Sequence, residues 1–397
     1  MIRPTVARID LAALKSNYKH IVEYLAREHD SRLHAPGVIA VVKANAYGHG
    51  AGQVACALED AGANLLACAD IEEGAALRAA GVRAEILVFG ALSVSDLDGL
   101  FDCNLTPTIS TPGAAHAVQA AAERYKRRVR YHLKIDTGMN RLGFRFDNLR
   151  RTLPGLFASQ NLDLAAVYTH FATADDPESP LFDQQRARFE RARAEVEDMN
   201  RGAREERREK DRSAISSTSA VEHHIPYVHA ANSPALLRDS RVWYDRVRPG
   251  ILLYGVVPPP LASTLPLTPI MTLGSRVVAV KGVRAAEGVG YGVRFSPEQP
   301  ATIAIVPAGY ADGLDLRLAG RGSVLIRGRR APIVGSVNMD ILIADVTGLD
   351  VSPGDEVVII GSQGADRIDV REMAAQIGTI PYEILCRIGS RIEGVYE

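Results

Sequence analysis

The segment GVIAVVKANAYGHG contains a lysine that could do covalent chemistry. Lys43 comes directly after an apolar run. An amine at such a position can be partly desolvated, which lowers its pKa and makes it nucleophilic enough to form an imine with an aldehyde. A lysine at the end of a strand more often extends its ammonium group to water. By itself, the residue leaves both interpretations open.

The segments YVHAANSPALL and RVRPGILLYG have features of a phosphate site. Ser233 is predicted to be the N-cap of a helix whose first residue is Pro234. The free N–H groups at the start of that helix could bind phosphate, and Gly250 lets the backbone approach a ligand closely. Helix capping alone is the other interpretation of Ser233.

The chain contains neither a GxxxxGK(S/T) loop nor a GxGxxG turn between a strand and a helix. The phosphate therefore belongs to something other than a nucleotide bound in those ways. An amine at one strand end and a phosphate site across the same mouth suit pyridoxal 5′-phosphate (PLP). We therefore predict that Lys43 holds PLP as a Schiff base.

These residues need a scaffold that brings them to one place. From about residue 36, β-rich runs alternate with helical patterns, and eight such units predict an α/β fold, namely a (β/α)8 TIM-type barrel. A doubly wound open sheet is the alternative. The runs are GVIAVVK, NLLACAD, AEILVFG, NLTPTIS, RVRYHLKID, LAAVYTH, YVHAAN and one that ends near Arg248.

The sequence pattern changes after GILLYGVVPPPLASTLPLTPI. The residues that follow form short strand-like runs separated by glycine turns. This predicts a C-terminal mostly-β domain over 269–397, after a PLP-binding barrel over 11–268. The strand-like residues 1–10 are expected to pair with the distant β domain. A charged helix from Gln184 to Arg212 is predicted to run into a polar loop, as a surface insertion near 196–225.

Composition excludes several classes of function. The 46 basic and 47 acidic residues leave a net charge of -1, which removes the electrostatic reason to expect nucleic acid or an anionic membrane as partner. The four cysteines are far apart and form no CxxC pair, so no metal site or disulfide framework is predicted. Without an export signal or a long apolar run, a cytoplasmic protein is expected.

Nine short motifs, in order along both predicted domains, resemble those of alanine racemases, which are PLP enzymes of fold type III. The motifs are VVKANAYGHG, KIDTGMNRLGF, YTHFATAD, HAANSPA, RPGILLYG, GVGYG, PAGYADG, VNMD and IPYEIL. The resemblance implies a homodimer that interconverts L-alanine and D-alanine and supplies D-alanine for peptidoglycan.

The resemblance also implies two catalytic bases. Lys43 would serve the D-enantiomer, and Tyr291 of the other subunit would serve the L-enantiomer. Racemisation needs a proton acceptor on each face of a planar carbanion, and one lysine cannot reach both faces. Arg248 would hydrogen-bond the pyridine nitrogen, and His170 would link Arg248 to Tyr291.

Further site residues are implied by the same resemblance. Arg141 and the backbone N–H of Met339 from the partner subunit would bind the substrate carboxylate, and Arg141 would also contact the phenolic oxygen of PLP. Lys134 holds a position that is often carbamylated in this family, where it supports Arg141. The residues implied around the phosphate are Tyr47, Ser233, Gly250, Ile251 and Tyr382, and further supporting residues are His229, Tyr310 and Asp340.

Some residues depart from the family pattern, and some alternatives stay open. Asn338 stands where many members have Cys or Ser, and the arginine of GYADGLDLR is one residue late. A broad-specificity racemase is the nearest alternative, although such enzymes usually carry an export signal. Amino-acid decarboxylases of this fold type are expected to have a GxGS-like loop that is absent here. Non-catalytic PLP-binding homologues consist of the barrel alone.

Overall fold

The computed structural model describes residues 4–28, 34–92, 96–214, 227–389 and 391–397. A first strand, β1 (Val6–Ile9), precedes a series of parallel strands. These are β2 (Gly37–Val38), β3 (Ala40–Val41), β4 (Leu65–Cys68), β5 (Glu85–Val88), β6 (Thr106–Ile109), β7 (Val129–Asp136), β8 (Phe144–Arg145), β9 (Leu162–Tyr168), β10 (Tyr227–Asn232) and β11 (Arg246–Arg248).

The parallel strands close into a barrel. β2 and β3 are two parts of one extended stretch on either side of Ile39; β2 pairs with β11 and β3 pairs with β4. Between them, the Ile39 N–H donates to the Val247 carbonyl at 2.8 Å. Each of the eight predicted runs contains a strand of this barrel, so the TIM-type prediction is confirmed.

Helices follow most barrel strands and cover the sheet. In the helix that starts at Pro112, for example, the Thr111 hydroxyl accepts from the Ala114 N–H, and a face that includes Val118 and Ala122 is buried. The helices are α1 (Leu11–Glu28), α2 (Lys43–Tyr47), α3 (Ala51–Asp60), α4 (Ile71–Ala79), α5 (Asp98–Asp102), α6 (Pro112–Arg124), α7 (Leu149–Thr152), α8 (Pro154–Phe157), α9 (Leu181–Ala214), α10 (Ser233–Arg238), α11 (Val370–Ile377) and α12 (Pro381–Arg387).

The C-terminal part is built on two sheets. Its strands are β12 (Met271–Arg276), β13 (Ala279–Val283), β14 (Ala301–Val306), β15 (Ser323–Ile326), β16 (Arg329–Pro332), β17 (Leu342–Asp345), β18 (Glu356–Gln363), β19 (Asp366–Ile368) and β20 (Glu393–Tyr396). The larger sheet has the order β16-β15-β18-β12-β1-β20, with β19 on β18, and the smaller has the order β13-β14-β17. Strand β1 lies between β12 and β20, so the start of the chain is part of the C-terminal sheet.

The predicted charged helix, Gln184 to Arg212, lies within the 34-residue helix α9 and makes up most of it. The first half of α9 is anchored by buried side chains, including Phe182, Phe189 and Val196. The predicted polar loop at 215–226 lies outside the described residues. No helix in the described ranges combines the length and apolarity needed to cross a membrane. Those ranges also contain no group of three or more His, Cys, Asp or Glu residues arranged to hold a metal ion.

Asn17 of α1 joins the barrel to the connection that leads into the C-terminal sheets. Its amide donates to the carbonyls of Leu253 and Thr268 at 3.1 and 2.8 Å, and its oxygen accepts from the Thr268 N–H at 2.8 Å. The side chain is fully buried. Because water cannot replace these bonds, the connection depends on this residue.

We expect Asn17→Ala to lower the free energy of unfolding by about 2–3 kcal/mol, because buried backbone groups lose their partners. Urea denaturation measures this change. Lys19→Ala, at an exposed position of the same helix, is the control and is expected to change stability by less than about 0.5 kcal/mol. Equal stability of the two variants would contradict the bridging role of Asn17.

Candidate active site

The predicted barrel residues meet at one mouth. Lys43 follows β3, Lys134 lies in β7, His170 comes just after β9 and Arg248 ends β11. The carboxyl ends of parallel strands share one face of a barrel, so these side chains converge. Arg141, in the loop after β7, is close enough for its charge to lower the pKa of both lysines.

Lys43 leads into a left-handed turn. Each residue from Ala44 to Tyr47 has φ between 52 and 54°, and Gly48 follows at 81°. Residues other than glycine rarely adopt this conformation, which costs about 1–2 kcal/mol per residue. A Cβ on Gly48 would lie 2.1 Å from the Leu385 carbonyl oxygen, so this turn packs directly on α12. Strain of this kind is typical of functional sites.

Glu73 of α4 holds the start of this turn. Its Oε1 accepts from the Ala44 N–H and its Oε2 from the Ala69 N–H, both at 2.7 Å. Asp70 caps the same helix by accepting from the Glu73 N–H at 2.8 Å. One carboxylate thus joins the ends of two neighbouring strands beside Lys43. The sequence analysis missed Glu73, although the Asp-x-x-Glu spacing of a helix start could have pointed to it.

Arg248 is a buried cation with uncharged partners. Its Nη2 donates to the carbonyls of Thr169 and Ala230, both at 2.8 Å, and its Nη1 donates to His229 Nδ1 at 2.7 Å. His170 Nδ1 lies 3.3 Å from Nη2. Among the described residues, no carboxylate pairs with it. Burial lowers the pKa of Arg248 to about 10, so the guanidinium stays charged near neutral pH.

The predicted phosphate residues come together, but one detail of the prediction was wrong. Asn232, not Ser233, caps α10: its side chain accepts from the Ala235 N–H at 3.0 Å. The helix begins at Ser233, so the preceding residue takes the cap position. The Ser233 hydroxyl instead accepts from the Gly250 N–H at 2.9 Å and joins the loops after β10 and β11.

Gly250 allows close contact with the strained turn. A Cβ at this position would lie 2.3 Å from the Tyr47 hydroxyl oxygen. The Tyr47 ring packs against Tyr254 and Tyr382, with centroid distances of 4.9 and 5.9 Å. Ile251, next to Gly250, is fully buried. All five residues predicted around the phosphate therefore belong to one cluster.

The two mouth lysines have lowered pKa values. Burial, followed by the charge of Arg141, lowers the pKa of Lys43. The same causes lower the pKa of Lys134 to about 8. With Arg248, these groups form a basic cluster at the mouth. Such a cluster suits a ligand with several negative charges, and a desolvated amine suits a nucleophile.

Of the residues predicted from the C-terminal part, Tyr382 joins the cluster predicted around the phosphate and the others are exposed. Tyr291, Met339 and Tyr310 have exposed fractions of 79%, 53% and 42%. The Tyr291 backbone carbonyl accepts from the Ser336 hydroxyl at 2.8 Å. Asp340 pairs with Arg391 at 2.7 Å. Within the described chain, none of the hydrogen bonds around Arg248 or Glu73 involves these residues.

Glu73→Ala is expected to lower the free energy of unfolding by about 1–2 kcal/mol, because two backbone N–H groups lose a charged acceptor at a strained turn. Hydrogen exchange at Ala44 and Ala69 should accelerate. The exposed neighbour Glu72 offers the control Glu72→Ala, which should leave both amides protected. Unchanged exchange in Glu73→Ala would show that the turn holds without this carboxylate.

Comparison with known proteins places this site in a family. Residues 9–258 match the family model of the alanine racemase N-terminal domain, and residues 270–396 match that of the C-terminal domain. A curated alanine racemase of Carboxydothermus hydrogenoformans is 39% identical, with 100% of both chains covered.

Solved structures agree with this match. The crystal structure of alanine racemase from D-cycloserine-producing Streptomyces lavendulae has a TM-score of 0.86 and 33% identity, and covers 100% of this chain and 98% of that one. The alanine racemase of Bartonella henselae with covalently bound pyridoxal phosphate has a TM-score of 0.81, 28% identity and 99% coverage of both chains. The chain therefore belongs to the alanine racemase family of enzymes, which racemise alanine.

Proposed function

We propose that PLP binds at the barrel mouth and that the enzyme interconverts L-alanine and D-alanine with two bases, Lys43 and Tyr291 of the partner subunit. The observation that carries this proposal is the basic cluster of Lys43, Lys134, Arg141 and Arg248 beside the Ser233–Gly250 contact. We also propose that the product D-alanine supplies peptidoglycan synthesis in the cytoplasm, as the family resemblance implies.

The described residues fit PLP. The cluster of Tyr47, Ser233, Gly250, Ile251 and Tyr382 would hold the phosphate, because it combines hydroxyl groups with a closely approached backbone. Pairing a phosphate with the mouth cations would compensate charges that have no carboxylate partner in the described chain. The Bartonella henselae relative, whose structure has covalently bound pyridoxal phosphate, supports this assignment.

When bound, PLP supplies an aldehyde that links to the substrate amine and a conjugated ring that delocalises the charge left by removal of the Cα proton. Arg248 would donate a hydrogen bond to the ring nitrogen. Because a guanidinium stays protonated, it disfavours a second positive charge there. Arg248 would thereby weaken the ring as an electron sink, which would favour prompt return of a proton to Cα.

Arg141 and the Met339 N–H of the partner subunit would hold the substrate carboxylate, which fixes the direction of the Cα–H bond. Lys43, with its lowered pKa, would accept the proton on one face of Cα. Tyr291 would accept or return it on the other face, with His170 linking its hydroxyl to Arg248. Tyr382 and Tyr310 would narrow the entrance in favour of a methyl side chain.

The exposure of Tyr291 supports its assignment to the site of a second subunit in a homodimer. A tyrosine that is 79% exposed cannot act as a base at a buried cluster of its own chain without a large movement. Met339, Val293 and Leu316 are exposed large apolar residues of the same C-terminal part. Exposed apolar groups of this kind are typical of surfaces that bind a partner. A second copy would cover them and receive Tyr291 at its mouth.

Lys43→Ala and Tyr291→Phe are each expected to lose nearly all racemase activity. After subunit exchange, a mixture of the two should recover about a quarter of the wild-type rate, because about half of the dimers are mixed and each has one intact site. D-alanine formation from L-alanine measures the rate, and Cα exchange in deuterated water measures proton removal.

Native mass spectrometry of the mixture provides the control that mixed dimers form. Mixed dimers without recovered activity would show that Lys43 and Tyr291 do not act across subunits. Wild-type activity in Tyr291→Phe would show that Tyr291 is not the second base. Release of carbon dioxide, or no D-alanine despite bound PLP, would overturn the racemase proposal itself.

We further propose that the Lys134 amine is carbamylated. In this reaction the neutral amine nitrogen bonds to the carbon of carbon dioxide, one C=O electron pair moves to oxygen, and the nitrogen proton leaves to water. A pKa of about 8 increases the neutral fraction near pH 7.5 by roughly two orders of magnitude. Carbamylation also gives the Lys134 side chain a negative charge, which replaces its repulsion from Arg141 with attraction.

With ¹³C-labelled bicarbonate, a carbamate carbon signal is expected for the wild type and is expected to disappear in Lys134→Ala. Acidification should release the label, because the proton returns to the nitrogen. Lys126→Ala, at an exposed position, is the matched control and should retain the signal. A wild-type spectrum without this signal at neutral pH would refute the modification.

A further inference from the structure

A file of buried polar side chains runs through the barrel behind Arg248. Arg248 Nη1 lies 2.7 Å from His229 Nδ1, and His229 Nε2 lies 3.1 Å from His132 Nδ1. His132 Nε2 then lies 2.7 Å from the Tyr227 hydroxyl oxygen. Arg248 ends β11 at the mouth and Tyr227 begins β10, so the file spans the barrel from the carboxyl to the amino ends of the strands.

The charge of Arg248 sets the donor-to-acceptor direction of the hydrogen bonds along this file. A guanidinium has only donors, so His229 Nδ1 must accept. Burial, followed by the charge of Arg248, lowers the pKa of His229 well below its usual value. Burial also lowers the pKa of His132 to about 3. Both rings are therefore neutral, with one N–H each.

A neutral imidazole that accepts at Nδ1 must donate from Nε2. His229 Nε2–H thus donates to His132 Nδ1, and His132 Nε2–H donates to the Tyr227 oxygen. In the opposite direction, His229 Nδ1–H and Arg248 Nη1–H would face each other as two donors at 2.7 Å. The geometry therefore selects the Nε2–H tautomer of both histidines.

Packing alone does not explain these residues. The interior of a TIM-type barrel is usually filled by layers of branched apolar side chains. Here two fully buried histidines replace them. The Tyr168 ring stacks on His229, with centroids 4.5 Å apart, and lies 5.2 Å from the Arg248 guanidinium carbon. Buried polar groups are tolerated only when their bonds are complete, so each member of the file depends on the next.

We propose that His132 and Tyr227 are positioning residues, which act through His229 to hold the Arg248 guanidinium at a fixed angle to the cofactor. This role rests on the proposed function. The bonds from Arg248 to Thr169, Ala230 and His229 fix one edge of the guanidinium. Its remaining donors are then available to a ring nitrogen at the mouth. Without His132, the His229 Nε2–H loses its acceptor, and the ring that receives the Arg248 bond is no longer held in place.

Neutron diffraction from crystals of the wild-type enzyme with PLP, exchanged into deuterated water, tests the direction of the file. Deuterium is expected on Nε2 of both His229 and His132, with none on either Nδ1. Deuterium on His229 Nδ1, or on both nitrogens of either ring, would overturn the proposal. Because this result is independent of turnover, it separates failure of the file from failure of the racemase assignment.

Three variants test the positioning role. His132→Leu removes the acceptor for His229 and is expected to lower kcat by roughly tenfold or more, with a shift in the absorbance of bound PLP. His132→Asn can still present an amide oxygen to His229, so this variant should retain most of the wild-type kcat and PLP absorbance. Tyr227→Phe removes only the last bond and should have the smallest effect.

The control separates positioning from stability. Arg78→Leu also removes hydrogen bonds, to the carbonyls of Val82 and Ala84, but just before β5 at the amino ends of the strands, and it should leave the PLP absorbance and kcat unchanged. Unaltered absorbance and kcat in His132→Leu would overturn the positioning role. Equal losses of kcat in His132→Leu and His132→Asn would also overturn it, because an acceptor for the His229 N–H would then have no effect. If His132→Leu does not fold, the comparison of His132→Asn with Tyr227→Phe and the neutron result decide the proposal.

Discussion

The buried guanidinium of Arg248 is the constraint on which the active-site mouth depends. A charge removed from water is strongly destabilising unless its donors are satisfied and its charge is balanced. The described chain satisfies the donors with neutral groups: two backbone carbonyls at strand ends and His229. It does not balance the charge, and Lys43 and Lys134 add to it. A ligand with several negative charges would balance these cations, which supports the proposed phosphorylated cofactor.

The neighbouring part of the mouth, after β3, depends on a strained turn. Four successive residues in the left-handed conformation are unfavourable by themselves, so the surrounding structure must hold them. Glu73 fixes the first residue of the turn, and Gly48 allows α12 to pack against its last residues. The turn carries Lys43 and places the Tyr47 hydroxyl beside Gly250, which accepts close contact from it and bonds Ser233. Rigidly held groups suit chemistry in which the reacting atoms must be fixed in place.

The C-terminal sheets have two roles that differ in kind. Through β1 and α12 they are part of the same folded unit as the barrel, and Tyr382 of α12 contacts Tyr47 directly. They also expose Tyr291 and Met339. Exposed groups that could supply a base and a backbone donor agree with a site completed by a second copy. Under the proposed function, each barrel would have one base of its own and one from a second copy.

The sequence by itself determined the barrel, the β-rich C-terminal part and most of the mouth, because strand and helix periodicity is local and the motifs mark strand ends. Lys43 and Ser233 were identified in this way, and Arg248 through the family resemblance. Only the tertiary structure decided that Asn232 caps α10, because neighbouring residues of similar chemistry compete for that position. It alone placed Glu73 against Ala44, 29 residues away, and His132 against Tyr227, 95 residues away. Contacts between distant residues depend on how the chain closes the barrel, which no local pattern encodes.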